Sequence, residues 1–364
     1  MFDTGLSVVN SIFGGAIMAA ATSAHLYLQG KITGVSGMLY KCIKRIELNY
    51  SASFICGMVF MSSLINVFYN PFSKAKKNND SSFMETPANY SKDLSLFGFI
   101  VAGFLVGFGS RMGNGCTSGH GICGIPRLSK RSIVAICLFM VFGGCIATIR
   151  YYCPFFIPGS YSVQARELSI INIIVFLASL AGFGYFLFES YKSNAVDKLR
   201  DTGIAFAVGA AFSFGLMESG MLKRHTVVGF LTLGTVWNFR LIFVLGSAVG
   251  INYFTFDYIL KKLKKPLFKS KYDLPTSSTV DNKLMVGASI FGIGWGIGGI
   301  CPGPAILTSY VYFPHSYLFL AALCGGIYVE SMYDSKITDI VNKNAILSKI
   351  NVFNDIKIKG VKLN

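Results

Sequence analysis

The sequence predicts an all-α polytopic membrane protein. Three observations indicate this fold class: 52% of the 364 residues are hydrophobic, only 14% are charged, and the apolar residues gather into long runs. Soluble domains contain about 25% charged residues, whereas a helix needs roughly 20 mostly apolar residues to cross the hydrocarbon core of a bilayer. This composition excludes a disordered chain, a small disulfide scaffold and most soluble enzymes.

About nine apolar segments have the length and composition of transmembrane helices. Glycine pairs such as Gly14-Gly15 and Gly143-Gly144 interrupt several of them, which is typical of helices that pack closely in lipid. In chain order, the segments lie near Leu6–Leu28, Ser51–Tyr69, Leu94–Ser110, Ser132–Ile149, Leu168–Phe188, Thr202–Leu216, Leu241–Leu260, Leu284–Ile300 and Tyr317–Tyr333.

The net charge of +16 follows from the distribution of Lys and Arg among the loops. With nine helices, alternate loops collect 24 of the 33 basic residues on one side and 9 on the other. Because cytosolic loops carry the excess of basic residues, we expect the N-terminus outside or in a lumen and the C-terminus in the cytosol. A nucleic-acid partner, the other reading of a basic chain, is disfavoured. The basic residues alternate with lipid-spanning runs, and the bilayer is the expected surrounding. The sequence does not indicate which membrane this is.

An internal repeat divides the chain. The segment FLVGFGSRMGNGC (Phe104–Cys116) is similar to SIFGIGWGIGGIC (Ser289–Cys301) at an offset of 185 residues. Five predicted helices separate the starts of the two units, and an odd number inverts the second unit, as in many transporters. We therefore expect a first repeat at 1–192 with a connecting fifth helix, a second at 193–335, and a cytosolic tail at 336–364. The identical pairs are Gly107 and Gly292, Gly109 and Gly294, Gly113 and Gly298, and Cys116 and Cys301.

Two segments rich in glycine and proline interrupt the helical pattern at equivalent places. They read GNGCTSGHGICGIPRL (Gly113–Leu128) and GGICPGPAIL (Gly298–Leu307). Non-helical backbone at membrane depth is tolerated only where it is buried in protein or lines a cavity. The sequence therefore predicts two re-entrant loops that enter from opposite faces, and each brings a cysteine close to the pseudo-symmetry plane. Pro304 is expected to open a helix.

The residue types in these loops suit a small anion. Helix N-termini and hydroxyl groups donate hydrogen bonds to anions, and a thiol sulfur is soft and polarizable. Arg111 or His120 would add positive charge. The candidate binding residues are Cys116, Cys301, Cys123, Thr117, Ser118 and His120. The candidate supporting residues are Gly113, Asn114, Gly115, Gly119, Pro302, Gly303 and Pro304.

Alternative interpretations of these residues remain open. Cys116, His120 and Cys123 have the spacing of metal ligands, but a fourth ligand is missing, and no metal or cofactor is expected. His120 is equally suited to a structural hydrogen bond with a backbone carbonyl. A single buried cysteine is usually a small hydrophobe, which is the interpretation for the cysteines outside the loops.

The loop motifs resemble a known family. GFGSRMGNGCTSGHGICGIPRLSKRSIVA (Gly107–Ala135) closely resembles the signature of the YeeE/YedE sulfur-transport family. GLMESGMLKRHTVVGFL (Gly215–Leu231) and GWGIGGICPGPAI (Gly294–Ile306) resemble its companion unit, so both halves stand in one chain. The resemblance implies uptake of thiosulfate, which thiols in inward-dipping loops pass on by S–H···S hydrogen bonds without covalent intermediates. Cys116 and Cys301 are the matching thiols.

The chain departs from that family near its first helix. Well-characterised members carry a further cysteine there, whereas Met1–Leu39 contains none, which leaves the particular sulfur anion open. His25 is the nearest substitute donor, or a helix-packing histidine. We expect a transporter of thiosulfate or a related sulfur oxyanion and not an enzyme, with a cytosolic sulfur-using enzyme as a further partner. The alternatives are a membrane-embedded sulfurtransferase that forms a persulfide on Cys116 and a structural or sensory membrane protein. Glu218 and Glu330 are intramembrane carboxylates suited to proton coupling.

Overall fold

The described structure consists of helices joined by short connections. It is a computed structural model that describes residues 4–68, 84–85, 87–157, 168–193, 196–275 and 279–343, and these residues contain no β-strand. The helices are α1 Thr4–Gln29, α2 Val35–Ile43, α3 Leu48–Phe68, α4 Pro87–Tyr90, α5 Leu96–Met112, α6 Thr117–Gly124, α7 Lys130–Tyr152, α8 Leu168–Lys192, α9 Val196–Glu218, α10 Arg224–Leu231, α11 Arg240–Lys262, α12 Asn282–Gly298, α13 Pro302–Thr308 and α14 His315–Lys343.

Each of the nine predicted apolar segments coincides with one long helix, which confirms the all-α fold class. These helices are α1, α3, α5, α7, α8, α9, α11, α12 and α14. By length and composition alone, six spans in the described residues can cross a membrane, or seven if α5 and α6, bent by 48°, form one span. The helices α9 and α14 are not among them. They carry the carboxylates Glu218 and Glu330.

Equivalent helices of the two repeats run antiparallel. In the α1–α9 pair, Gly14 lies against Ser219 while Gly215 lies against Met18, so the two helices point in opposite directions. The α5–α12 pair has the same arrangement, with Gly109 next to Phe291 and the earlier part of α5 next to Gly294. An inverted repeat requires this relation wherever a helix packs against its own counterpart.

The other large helix contacts also occur in pairs. The first repeat contributes α3 to a contact with α9, and the second contributes α11 to a contact with α1. Similarly, α5 packs on α14 and α12 packs on α7. Exchanging the two repeats converts one contact of each pair into the other. The connecting helix α8 packs only on the outside of α3 and α9 among these contacts, and its exposed apolar side chains face the lipid.

The loops that the charge distribution assigns to one side meet at one end of the bundle, which we call the basic end. Arg131 binds Asp281 at 2.7 Å, and Arg127 donates to the carbonyl of Pro275 at 3.4 Å. The amide of Leu267 donates to the carbonyl of Tyr27 at 2.9 Å. The helix α1 therefore ends at the basic end. Most of the predicted exterior insert and residues 344–364 of the predicted tail lie outside the described residues, and α14 continues beyond residue 335 to Lys343.

Glycine allows the closest helix contacts of the bundle, and this can be tested. A Cβ atom on Gly107 of α5 would collide with the carbonyl oxygen of Leu323 on α14. We expect Gly107→Ala to lower the thermal midpoint of the purified protein in detergent, because overpacking costs about 1–3 kcal/mol. Gly184→Ala on α8, where a Cβ would meet nothing within 4 Å, is the matched control. Equal midpoints for the two variants would contradict the packing.

Candidate functional site

The two loop cysteines occupy equivalent positions in the backbone. Cys116 and Cys301 are both extended residues that immediately precede a short helix, α6 and α13 respectively. Both thiols are buried, with 1% and 3% of the residue exposed. The helix α6 is wound as a wide π-helix and is not an irregular loop. The expectation that Pro304 opens the second helix was wrong, because α13 starts at Pro302, where a missing N–H is harmless.

Two consecutive hydroxyl groups connect the thiols of the two halves. Thr117 donates from Oγ1 to the sulfur of Cys301 over 3.4 Å. Ser118 Oγ lies 3.2 Å from the sulfur of Cys116, and the amide of Val35 donates to the same Ser118 oxygen at 3.3 Å. The first turn of α6 therefore contacts both thiols, although they lie 185 residues apart in the sequence.

Both thiols and both hydroxyl residues line one internal cavity between the repeats. Its volume of about 80 Å³ leaves room for several water-sized groups, since one such group needs roughly 10–15 Å³. All its lining residues are uncharged, so an anion inside it would meet neutral donors and apolar walls. They are Val35, Cys116, Thr117, Ser118, Ile122, Ile136, Phe139, Met140, Phe212, Leu216, Met221, Phe230, Leu241, Val244, Leu245, Trp295, Cys301, Pro302, Gly303 and Pro304.

His120 and Cys123 lie behind this cavity and do not line it. His120 Nε2 is 3.1 Å from the carbonyl oxygen of Gly113, and its Nδ1 is 3.1 Å from the hydroxyl of Ser132. Since a carbonyl only accepts, Nε2 carries the hydrogen. Cys123 donates to the carbonyl of Thr33 at 3.5 Å. The structural interpretation of His120 therefore agrees with the geometry, because both ring nitrogens are engaged in holding the loop.

The supporting residues shape the turn between α5 and α6. Asn114 adopts a positive φ of 56°, and the amide of Gly115 closes the turn by donating to the carbonyl of Ser110 at 2.8 Å. A Cβ on Gly115 would lie 2.7 Å from His120 Nε2, so glycine is needed there for the imidazole to reach Gly113. A Cβ on Gly119 would meet nothing within 4 Å.

Two arginines hold the second loop at the end of the bundle opposite to the basic end. The last carbonyls of α12 lack intrahelical partners, and Arg224 Nε donates to that of Gly298 at 2.7 Å while Arg150 donates to that of Ile297. Both guanidinium groups also bind the carboxylate of Asp93. Burial would raise the pKa of Asp93, but the charges and hydrogen bonds of the two arginines prevail and hold it below its usual range.

The other ionisable residues singled out in the sequence lie away from the cavity. Arg111 Nε is 3.6 Å from the buried carboxylate of Glu330, and its guanidinium lies 3.9 Å from the ring centre of Tyr40. Lys283 also binds Glu330, at 3.1 Å. His25 is buried and bonded to the hydroxyl of Thr33 at 2.7 Å. Arg111 and His25 thus bind protein groups outside the cavity.

Two further observations concern ligands. Within the described ranges, the side chains form no cluster of three or more His, Cys, Asp or Glu that could hold a metal ion. The metal site suggested by the spacing of Cys116, His120 and Cys123 is therefore not assembled. Trp295 lines the cavity and was missed by the sequence reasoning. Its signal is that it stands at the repeat position of a small residue, Ser110.

An inverted helical repeat around an enclosed cavity between its halves is the architecture of a membrane transporter. Comparison with known proteins agrees: residues 51–146 match the sulphur transport family, and residues 202–340 match a family of unknown function (DUF6691). Two proteins of Xylella fastidiosa strain Temecula1, each described as a probable transporter, are similar to this chain. One is 38% identical over 128 residues (35% of this chain, 86% of the relative) and the other 36% identical over 137 residues (38% and 90%). The chain belongs to the sulphur transport (YeeE/YedE) family, as the loop motifs indicated, and it is a multi-pass integral membrane protein.

The anchor of the second loop gives a pH-dependent prediction. We expect Asp93→Asn to lower the thermal midpoint at pH 7 by a few degrees, because two buried guanidinium groups lose their counter-charge. The folded-state pKa of Asp93 is depressed, so its contribution is complete above the unfolded pKa of about 3.9 and is lost as the pH falls through the lower folded value. The difference between wild type and variant should therefore disappear in strong acid.

Asp257→Asn is the matched control for this experiment. Asp257 pairs with Lys261 one helical turn away on an exposed surface, and such pairs contribute little to stability. If Asp93→Asn and Asp257→Asn have the same midpoint at pH 7, the two arginines do not depend on Asp93.

Proposed function

We propose that this protein imports thiosulfate, or a closely related small sulfur oxyanion, through the cavity between its two repeats. The observation that carries the proposal is the pair of hydroxyl–thiol contacts of Thr117 with Cys301 and Ser118 with Cys116. They bring one thiol from each repeat to a single uncharged cavity. Membership of a sulphur transport family supports a sulfur-containing substrate.

The contacts suit the thiols to act as donors. When Thr117 donates to the sulfur of Cys301, the S–H of Cys301 remains free to donate to an anion. The amide of Val35 already occupies an acceptor site of Ser118, which favours the same direction of donation from Ser118 to Cys116. Each thiol then presents a weak, soft donor that matches the terminal sulfur of thiosulfate.

The neutral lining provides selectivity and release. Moving an anion from water into an apolar cavity is costly unless hydrogen bonds replace its hydration. Thiols, hydroxyls and the free N–H groups in the first turn of α6 supply such bonds without a fixed positive charge that would trap the ion. The helix α13 contributes fewer donors, since Pro302 and Pro304 have no N–H. The anion would pass from Cys301 to Cys116 by exchanging hydrogen bonds.

The proposed direction of transport rests on the charge distribution. The basic loops meet at one end of the bundle, where α1 ends, and Lys283 binds Asp334 near the end of α14. Cytosolic loops carry the excess of Lys and Arg, so we place the N-terminus outside and the C-terminus in the cytosol. The division into repeats at 1–192 and 193–335 with a tail at 336–364 belongs to this proposal. A cytosolic sulfur-using enzyme would receive the substrate at the basic end.

The sulfurtransferase alternative needs a different environment. A thiolate of Cys116 would attack the outer sulfur of thiosulfate, form a persulfide and release sulfite, which requires a nearby base. His120 is the nearest candidate, and both of its nitrogens are engaged with Gly113 and Ser132. Mass spectrometry of the protein after incubation with thiosulfate should therefore find Cys116 without an added sulfur atom. A persulfide there would favour the enzyme.

Uptake assays test the proposal directly. Proteoliposomes that contain the wild-type protein should accumulate labelled thiosulfate, and Cys116→Ala or Cys301→Ala should reduce the initial rate tenfold or more, the scale of one lost hydrogen bond to a charged group. Sulfate should compete weakly in the wild type, because it lacks the outer sulfur that the thiols recognise.

Cys153→Ala is the matched control, since Cys153 is an exposed thiol at the end of α7. All three variants should elute as monodisperse protein with similar thermal midpoints. Wild-type rates in both Cys116→Ala and Cys301→Ala would refute the role of the thiols. Wild-type liposomes that take up no thiosulfate would refute the substrate.

A further inference from the structure

Trp295 forms part of the wall that faces the two thiols. It lies in the last turns of α12, is only 4% exposed, and lines the same cavity as Cys116 and Cys301. Its indole Nε1 is buried and has no hydrogen-bond partner among the described residues. The Cε3 edge of the ring faces Gly143 on α7, so the pyrrole edge with Nε1 lies on the opposite side.

A buried indole N–H without a partner is unusual. The indole nitrogen is a donor only, and buried tryptophans usually find an acceptor, because an unmade hydrogen bond away from water is costly. The other tryptophan of the chain shows the usual behaviour. Trp237 is 45% exposed, and its Nε1 donates to the carbonyl of Phe230 at 3.0 Å. The unpaired donor is therefore the one at the cavity.

The internal repeat shows that the indole is not needed to end the helix. The residue equivalent to Trp295 is Ser110, whose hydroxyl donates to the carbonyl of Gly107 within its own helix. The backbones do the same work in both repeats: the carbonyl of Trp295 accepts from Gly299 at 2.7 Å, and that of Ser110 accepts from Gly115 at 2.8 Å. Only the side chains differ, and only the indole leaves a donor unused.

We infer that the indole N–H of Trp295 binds an oxygen of the transported anion while the thiols contact its sulfur. This inference rests on the proposed function and deepens it. An ion with a sulfonate-type oxygen at one end and a soft sulfur at the other satisfies both kinds of donor at once. A neutral N–H also binds the oxyanion without adding a charge to the cavity. Trp295 is thus a binding residue that favours sulfur oxyanions over sulfur anions without oxygen, such as hydrosulfide.

Fluorescence of the full-length protein tests this inference without altering the site. In Trp237→Phe, Trp295 is the only tryptophan, and its emission reports the cavity alone. Titration with thiosulfate should change that emission with a midpoint that matches the concentration dependence of transport, whereas chloride should not. An emission that stays unchanged at thiosulfate concentrations that saturate transport would overturn the inference.

Transport by Trp295→Phe gives the second test, because Phe keeps an apolar ring and removes only the N–H donor. We expect the KM for thiosulfate to rise about tenfold, the scale of one hydrogen bond to a charged group. Inhibition of uptake by hydrosulfide should weaken less than twofold, since that ion offers no oxygen. Trp237→Phe, the matched control, should keep the wild-type KM. An equal loss for both anions would show a packing role and contradict the inference.

The outcomes separate this inference from the proposed function. If the wild type transports thiosulfate and Trp295→Phe keeps the wild-type KM, the role of Trp295 is wrong and the proposed function stands. If the wild type transports no thiosulfate, the proposed function fails, and the inference fails with it.

Discussion

The structure depends on satisfying the backbone where two helices stop inside the bundle. The helices α5 and α12 both end before a short helix at a cysteine, and their last carbonyls have no water to bind in such surroundings. His120 provides the donor for Gly113 in the first repeat, and Arg224 provides the donor for Gly298 in the second. Without these bonds, irregular backbone could not persist at this depth, and the thiols could not reach the cavity.

The two repeats share a packing scheme but have different chemistry. Equivalent helix pairs build the same contacts in both halves, so each cysteine arrives at the cavity at the start of a short helix. The first loop adds hydroxyls and free N–H groups, whereas the second adds prolines and an indole. A pathway with unlike donors on its two sides lets an anion with unlike ends bind in one orientation, which a symmetric site would not enforce.

Much of the fold follows from sequence periodicity and composition. The nine apolar runs, the offset of 185 residues and the glycine-broken loops all rest on local patterns, and the structure contains the corresponding helices and loops. The site was predicted in part: Cys116 and Cys301 meet in one cavity, but Cys123 lies behind it. The anchor formed by Asp93, Arg150 and Arg224 could not be predicted, because it joins residues 57 and 131 positions apart. A single sequence carries no local signal for such contacts.

A double-mutant cycle on thiosulfate binding tests the central claim, that the thiols of both repeats act on one bound anion. Affinities would be measured by calorimetry for the wild type, Cys116→Ala, Cys301→Ala and the double variant. Residues that contact the same ligand are coupled. The double variant should therefore bind thiosulfate about as weakly as either single variant. Losses that simply add would show two independent sites and contradict the shared cavity as the place of recognition.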